Sequence, residues 1–167
     1  DAKAMTQAIA QGDFDKALRL YEKITPLPHI LSALCDAPCE EKCKLCSLGD
    51  GIALRELEAA AVAYGSHGKG RGLLRKKTKT AAIFGADLFT LFLAGELSKK
   101  MYPVTFYLSQ SDARALLTQV LPKVPQGAEA DVSGLDVRFV WSADPESCFR
   151  QEAEQYDLVC ASFAVFN

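Results

Sequence analysis

Two hydrophobic rhythms divide the chain. Up to Ser66 the apolar residues recur at helical spacing. Phe14, Ala17, Leu18, Tyr21 and Ile24 form one stripe behind Asp13, a residue suited to capping a helix, and Pro26 and Pro28 predict its end. Within this helical stretch residues 28–34 are a short segment leading into the cysteines, and Gly49-Asp50-Gly51 reads as a turn. Ile52 to Tyr64 then predicts another helix, with Leu54, Leu57, Ala61 and Tyr64 on one side and Gly65 as its stop.

From Thr80 onward short apolar runs alternate with helical patterns. Strands are predicted over 81–84, 104–108, 137–141 and 158–165, and helices over 88–100 and 111–121. The polar stretch 144–155 reads as helical or irregular. Such alternation predicts a parallel sheet. The expected fold class is α plus α/β. A helical domain spans 1–66, a basic linker 67–79, and a partial Rossmann-type parallel β-sheet domain 80–167.

Composition changes this picture little. At 49% apolar and 24% charged residues the chain can build a sizeable core. A net charge of -2 gives no bulk reason to expect a nucleic-acid or membrane partner. The start is polar, with no pattern of a signal peptide. The longest apolar stretch, Thr80 to Leu97, carries Asp87 and Glu96 and is broken at Gly85, so no transmembrane helix is expected. The linker gathers Lys69, Arg71, Arg75, Lys76, Lys77 and Lys79 without an acid. A solvated connector accounts for it, with a patch for phosphate or an acidic partner as the sharper reading. No aromatic residues interleave as they would in a single-strand nucleic-acid groove.

The cysteines carry the chemistry. Four of the six fall in the run Cys35-x3-Cys39-x3-Cys43-x2-Cys46, while Cys148 and Cys160 stand alone and read as structural. A secreted disulfide scaffold would scatter its cysteines, so the cluster points to a metal site in a reducing, cytoplasmic setting. Four thiolates so close together suit a [4Fe-4S] cluster or a zinc ion. Zinc sites usually pair two knuckles across a longer loop, which is absent here. Pro38 beside Cys39 matches the proline common at ferredoxin cysteines. Cys39 to Cys46 also has the CxxxCxxC spacing of enzymes that cleave S-adenosylmethionine. Those need a large barrel after the motif and usually an aromatic residue before its last cysteine, where this chain has Leu45. His29, near the cysteines, and His67, in the linker, read as packed or surface residues.

The segment from Thr80 to Leu108 has the strand–turn–helix–strand outline of a dinucleotide-binding unit. A working G-x-G-x-x-G loop lets the backbone approach a pyrophosphate at the helix N-terminus. The corresponding positions here are Gly85, Asp87 and Thr90. Asp87 sets a carboxylate where the diphosphate would lie, although it suits the helix dipole. Leu108 and Ser109 stand where an acid would hold the ribose hydroxyls. FAD is therefore not expected in this chain.

The run CDAPCEEKCKL, followed by GIALRELEAAAVAYG, resembles the N-terminal iron–sulfur domain of the glutamate synthase small (beta) subunit and the related part of dihydropyrimidine dehydrogenase. The upstream AIAQGDFDKALRLYEKITPLPHI is similar too, and Tyr156-Asp157-Leu158-Val159-Cys160-Ala161-Ser162-Phe163 stands where that family has Y-D-x-V-x-x-A-T-G. The likeness is specific over 7–64 and architectural over 79–167. It implies an alpha-helical ferredoxin-like domain whose [4Fe-4S] clusters exchange electrons with a flavin. Cys35, Cys39 and Cys43 match the family's ligands, and Cys46 is additional. The family shares the ligands of two clusters between this stretch and an earlier cysteine-rich one, so the sequence is expected to be a piece of a longer protein.

The resulting expectation is an electron-transfer module of a larger oxidoreductase, not catalytic by itself. Cys35, Cys39, Cys43 and Cys46 would hold the cluster, Lys42 and Lys44 would raise its potential, and other redox domains or subunits would be the partners. The alternatives are a zinc-stapled or metal-free interaction module and a flavin-binding reductase fragment.

Overall fold

The computed structural model describes residues 2–66, 75–120 and 128–165. The described residues divide into two compact units, one within 2–66 and the other formed by 75–120 and 129–165. His67, Lys69 and Arg71 of the expected linker lie outside the described residues, as do 121–127.

The first unit is helical: α1 (Ala2–Ala10), α2 (Phe14–Glu22), α3 (Pro28–Leu34), α4 (Pro38–Glu41) and α5 (Leu54–Tyr64), with a 3-10 turn at Lys44–Ser47. Asp13 starts α2 by accepting the Lys16 amide at 2.9 Å, so one otherwise unmet donor of the first turn is satisfied. Met5, Ala8, Ala17, Leu18, Tyr21, Ala61 and Val62 form the core where α1, α2 and α5 meet. The spacing of Ala17, Leu18 and Tyr21 puts all three on the buried face of α2.

The structure adds detail at three places. Residues 28–34 are a helix, because Pro28 at its first position fixes φ and lacks only an amide that would be unpaired there. Ile24 lies past the end of α2 and is exposed. Tyr64 is 72% exposed and rests on the Phe14 ring, with centroids 5.3 Å apart.

The second unit is a four-stranded parallel sheet in the order β3-β2-β1-β4. Its strands are β1 (Ala81–Phe84), β2 (Val104–Leu108), β3 (Val137–Trp141) and β4 (Leu158–Ala161). Between them run α6 (Leu88–Lys99), α7 (Gln110–Val120), α8 (Ala128–Ser133) and α9 (Pro145–Glu152). Every residue of β1 is buried, as a central parallel strand requires, which explains its unbroken apolar run. The order of strand addition reverses at β1: β2 and β3 follow on one side of it, and β4 returns to its other side. That junction is the topological switch point where such sheets open a ligand crevice.

The final strand is shorter than the expected 158–165. It ends at Ala161, and Phe163–Val165 form a 3-10 turn closed by the Val165 amide on the Ser162 carbonyl at 3.1 Å. The turn folds back over Gly85, where an added Cβ would lie 2.3 Å from Val165 Cγ2. Gly85 also has φ +75°, a conformation that side chains resist.

Candidate metal centre and the altered dinucleotide turn

The cysteine run occupies the connection from α3 to α5. Cys35 ends α3 in an extended conformation, and its sulfur accepts the Ala37 amide at 3.4 Å. Ala37 takes a left-handed turn at φ 52°, after which Pro38 opens α4 and places Cys39 on its exposed surface. Cys43 immediately precedes the 3-10 turn that carries Cys46. Glu40 ties this loop to the next helix: its carboxylate accepts the Arg55 amide at 2.8 Å, supplying the cap that Ala53 cannot.

Backbone amides surround the Cys43 sulfur. Hydrogen bonds from Ile52, then Leu45 and Cys46, hold its thiol below the usual range against a smaller opposing effect of burial. Gly51 lies against this pair: Cys46 Sγ would lie 2.7 Å, and Cys43 Cβ 3.5 Å, from a Cβ placed there. Cys39 and Cys43 both open onto one cavity of about 330 Å³, lined as well by Lys3, Thr6 and Gln7 of α1 and by Ile52 and Leu54.

Four soft sulfur donors in one loop, those of Cys35 and Cys43 amide-bonded, fit a thiolate-bound metal in their chemistry. Their arrangement is not that of a closed single-ion site: among the described residues, no three His, Cys, Asp or Glu side chains gather around one point. His29 lies on α3 with interactions of its own.

At the switch point, Asp87 and Thr90 form a reciprocal pair over the first turn of α6, and Asp87 also bonds to Ser162 of the β4 end. Thr90 is fully buried. The chain's own carboxylate thus bonds to amides that, in a working loop, face a pyrophosphate. Of the lone cysteines, Cys148 donates to Ser142 Oγ at 3.2 Å, and Cys160 is half-buried, its thiol pushed up by burial and then by the Asp87 charge.

One cluster has no counterpart in the sequence pattern. The buried Tyr107 hydroxyl on β2 donates to Glu152 of α9 and lies 2.8 Å from the Tyr156 hydroxyl. Phe84 stacks on Tyr107 at 4.7 Å and meets Phe149 edge-on. Burial first, then these two partners, drive the Tyr107 hydroxyl well above its ordinary range. The residues stand 45 and 49 positions apart, so no local motif could reveal them.

The described part of the basic stretch, Arg75 to Lys79, lies exposed beside Tyr102, with Lys77 Nζ 4.6 Å from the Tyr102 ring centre and Lys76 paired to Asp136 at 2.7 Å. Among the described residues no helix is long and apolar enough to cross a membrane.

No family model matches the chain. It is similar to beta subunits of nicotinamide-linked oxidoreductases. The NADPH-Fe(3+) oxidoreductase subunit beta of Geobacter sulfurreducens, in two strains, is 31% identical over 110 residues, covering 64% of this chain and 16% of the relative. The NADP(+)-dependent formate dehydrogenase subunit beta of Moorella thermoacetica is 27% identical over 90 residues, covering 54% of this chain and 12% of the relative. The chain spans less than a fifth of the length of these curated relatives.

Proposed function

We propose that this chain is an iron–sulfur electron-transfer module of a larger, cytoplasmic oxidoreductase, its partners being other redox domains or subunits. The observation that carries this reading is the opening of Cys39 and Cys43 onto one cavity, with Cys35 and Cys46 in the same loop. Cys35, Cys39, Cys43 and Cys46 would hold a [4Fe-4S] cluster as thiolates. A cluster binds each thiolate at a different iron, so its ligands stand further apart than the four donors around one zinc ion.

When bound, the cluster would supply a one-electron relay. The chain's residues do the rest: the amides of Ile52, Leu45 and Cys46 steady negative charge on the Cys43 sulfur, and Ile52 and Leu54 limit water on one side. The helical unit would then be an alpha-helical ferredoxin-like domain, close to that of the glutamate synthase small subunit. The names of the relatives agree with a redox-subunit role. The sheet unit would serve as a scaffold and not as an FAD site, since Asp87 and Val165 take up the turn a dinucleotide would need.

Iron, acid-labile sulfide, zinc and flavin content of anaerobically purified protein tests the reading. About four irons and four sulfides per chain are expected, with a visible band that Cys39→Ser removes. Zinc without iron would replace the cluster with a structural staple. Bound flavin would restore the reductase-fragment alternative.

A further inference from the structure

We infer that Cys43 and Cys46 form a reversible intramolecular disulfide when the loop holds no metal. Consumption of two of the four loop thiols as metal ligands rests on the reading above; the disulfide itself does not.

The geometry is local. The Cys46 amide donates to the Cys43 carbonyl at 3.0 Å, closing a four-residue turn around Lys44 and Leu45. Such a turn brings its end Cα atoms within about 7 Å, and a disulfide spans Cα atoms about 4.4 to 6.8 Å apart. The side chains also face each other. Both crowd the space above Gly51, where Cys46 Sγ would lie 2.7 Å and Cys43 Cβ 3.5 Å from an added Cβ, and the Cys46 thiol itself donates to the Glu40 carbonyl, at a loose 3.6 Å. Cys46 is exposed and Cys43 partly so, leaving the pair open to a small oxidant.

The other thiols are engaged differently. The Cys35 sulfur accepts the Ala37 amide, and Cys39 lies in α4 at the cavity. Cys148 and Cys160 belong to the sheet unit.

The oxidant required is a low-molecular-weight disulfide. One protein thiolate attacks it, forming a mixed disulfide and releasing one small thiol. The second protein thiolate then displaces the other small thiol. The protein gives up two electrons and two protons, and the small disulfide becomes two thiols. Dithiol reductants run the exchange backwards.

The full chain, stripped of metal under argon and fully reduced, is equilibrated with buffers of increasing glutathione disulfide to glutathione ratio. Free thiols should fall from the six in the sequence to four in one two-electron step. Peptide mapping should join Cys43 to Cys46, and dithiothreitol should restore the reduced count. Cys46→Ser should abolish the internal link and leave a glutathione on Cys43, while Cys35→Ser should retain it. A link between any other pair, a cross-linked dimer, or an undiminished thiol count would overturn the proposal.

A second arm adds iron and sulfide, or zinc, before oxidation. Bound metal that protects both thiols supports both readings together. A Cys43–Cys46 link in a chain that takes up no metal leaves the disulfide standing and removes the metal reading. A metal-binding chain that forms no link when stripped removes only the disulfide.

Discussion

Asp87 and Thr90 cap α6 for each other: Asp87 Oδ1 accepts the Thr90 amide at 2.7 Å, and Thr90 Oγ1 accepts the Asp87 amide at 2.8 Å. The two residues that stand at the second and third positions of the expected dinucleotide turn therefore make one structural device. Loss of an N-cap side chain costs about 1 kcal/mol, so Asp87→Ala should lower the thermal midpoint by several degrees. Burial raises the Asp87 carboxyl, but bonds from Ser162 and Thr90 outweigh it and hold it below its ordinary 3.8. Its stabilising charge is complete above that value and is lost as pH falls through the lower folded one. Asp87→Asn keeps a capping oxygen without the charge. Thermal melts at about pH 7 and about pH 3 should therefore show a smaller acid loss in Asp87→Asn than in the wild type; equal losses would mean the charge contributes nothing.

Tyr107 sets the opposite limit. Burial, then Glu152 and Tyr156, raise its hydroxyl above the ordinary 10.0. The neutral form stabilises the fold fully below that value, and the contribution is lost as pH rises toward the folded one. Tyr107→Phe should cost about 1 to 2 kcal/mol at neutral pH, because Glu152 and Tyr156 lose a shared partner. It should also flatten the alkaline decline in stability. Urea midpoints at about pH 7 and about pH 11 check both effects, and an unchanged alkaline slope would rule out this assignment.

Gly51→Ala probes the cysteine loop without removing a sulfur. The new methyl would meet Cys46 Sγ at 2.7 Å, and an exposed side chain can swing aside more easily than backbone can shift. Helical content should stay near wild type, since Gly51 lies outside every helix. The yield of the Cys43–Cys46 link under fixed glutathione conditions should fall severalfold. Circular dichroism with thiol counting separates this outcome from general unfolding, and an undiminished yield would mean that Gly51 does not hold the thiols together.

Local patterns explain what was readable in the sequence. Asp13, the stripe of α2 and the buried run of β1 act through neighbours one turn or one strand away, so spacing alone exposes them. The strand expected over 137–141 likewise matches β3, Val137–Trp141. Tertiary contacts hid the rest. Val165 looks like more strand, yet the need to pass over Gly85 turns it into a 3-10 segment. Tyr64 matches a buried helical face, yet α5 turns it toward Phe14 and solvent. At the candidate site the thiols were evident from spacing, whereas the cavity under α1, the Glu40 tether to α5 and the Tyr107 cluster depend on partners far along the chain.

The sheet order also constrains how the second unit is assembled. Thr80, at the entrance to β1, gives its amide to Asp157 at 2.8 Å across 77 positions of sequence, and β1 then pairs with β4 along its full length. The central strand is among the first parts of this unit to emerge from a ribosome, but one of its edges waits until almost the whole unit has been synthesised. The core cluster of the helical unit is drawn from residues between Met5 and Val62. Loop closure over so long a span slows folding, so the cysteine-bearing unit should acquire its structure first, while β1 remains half paired.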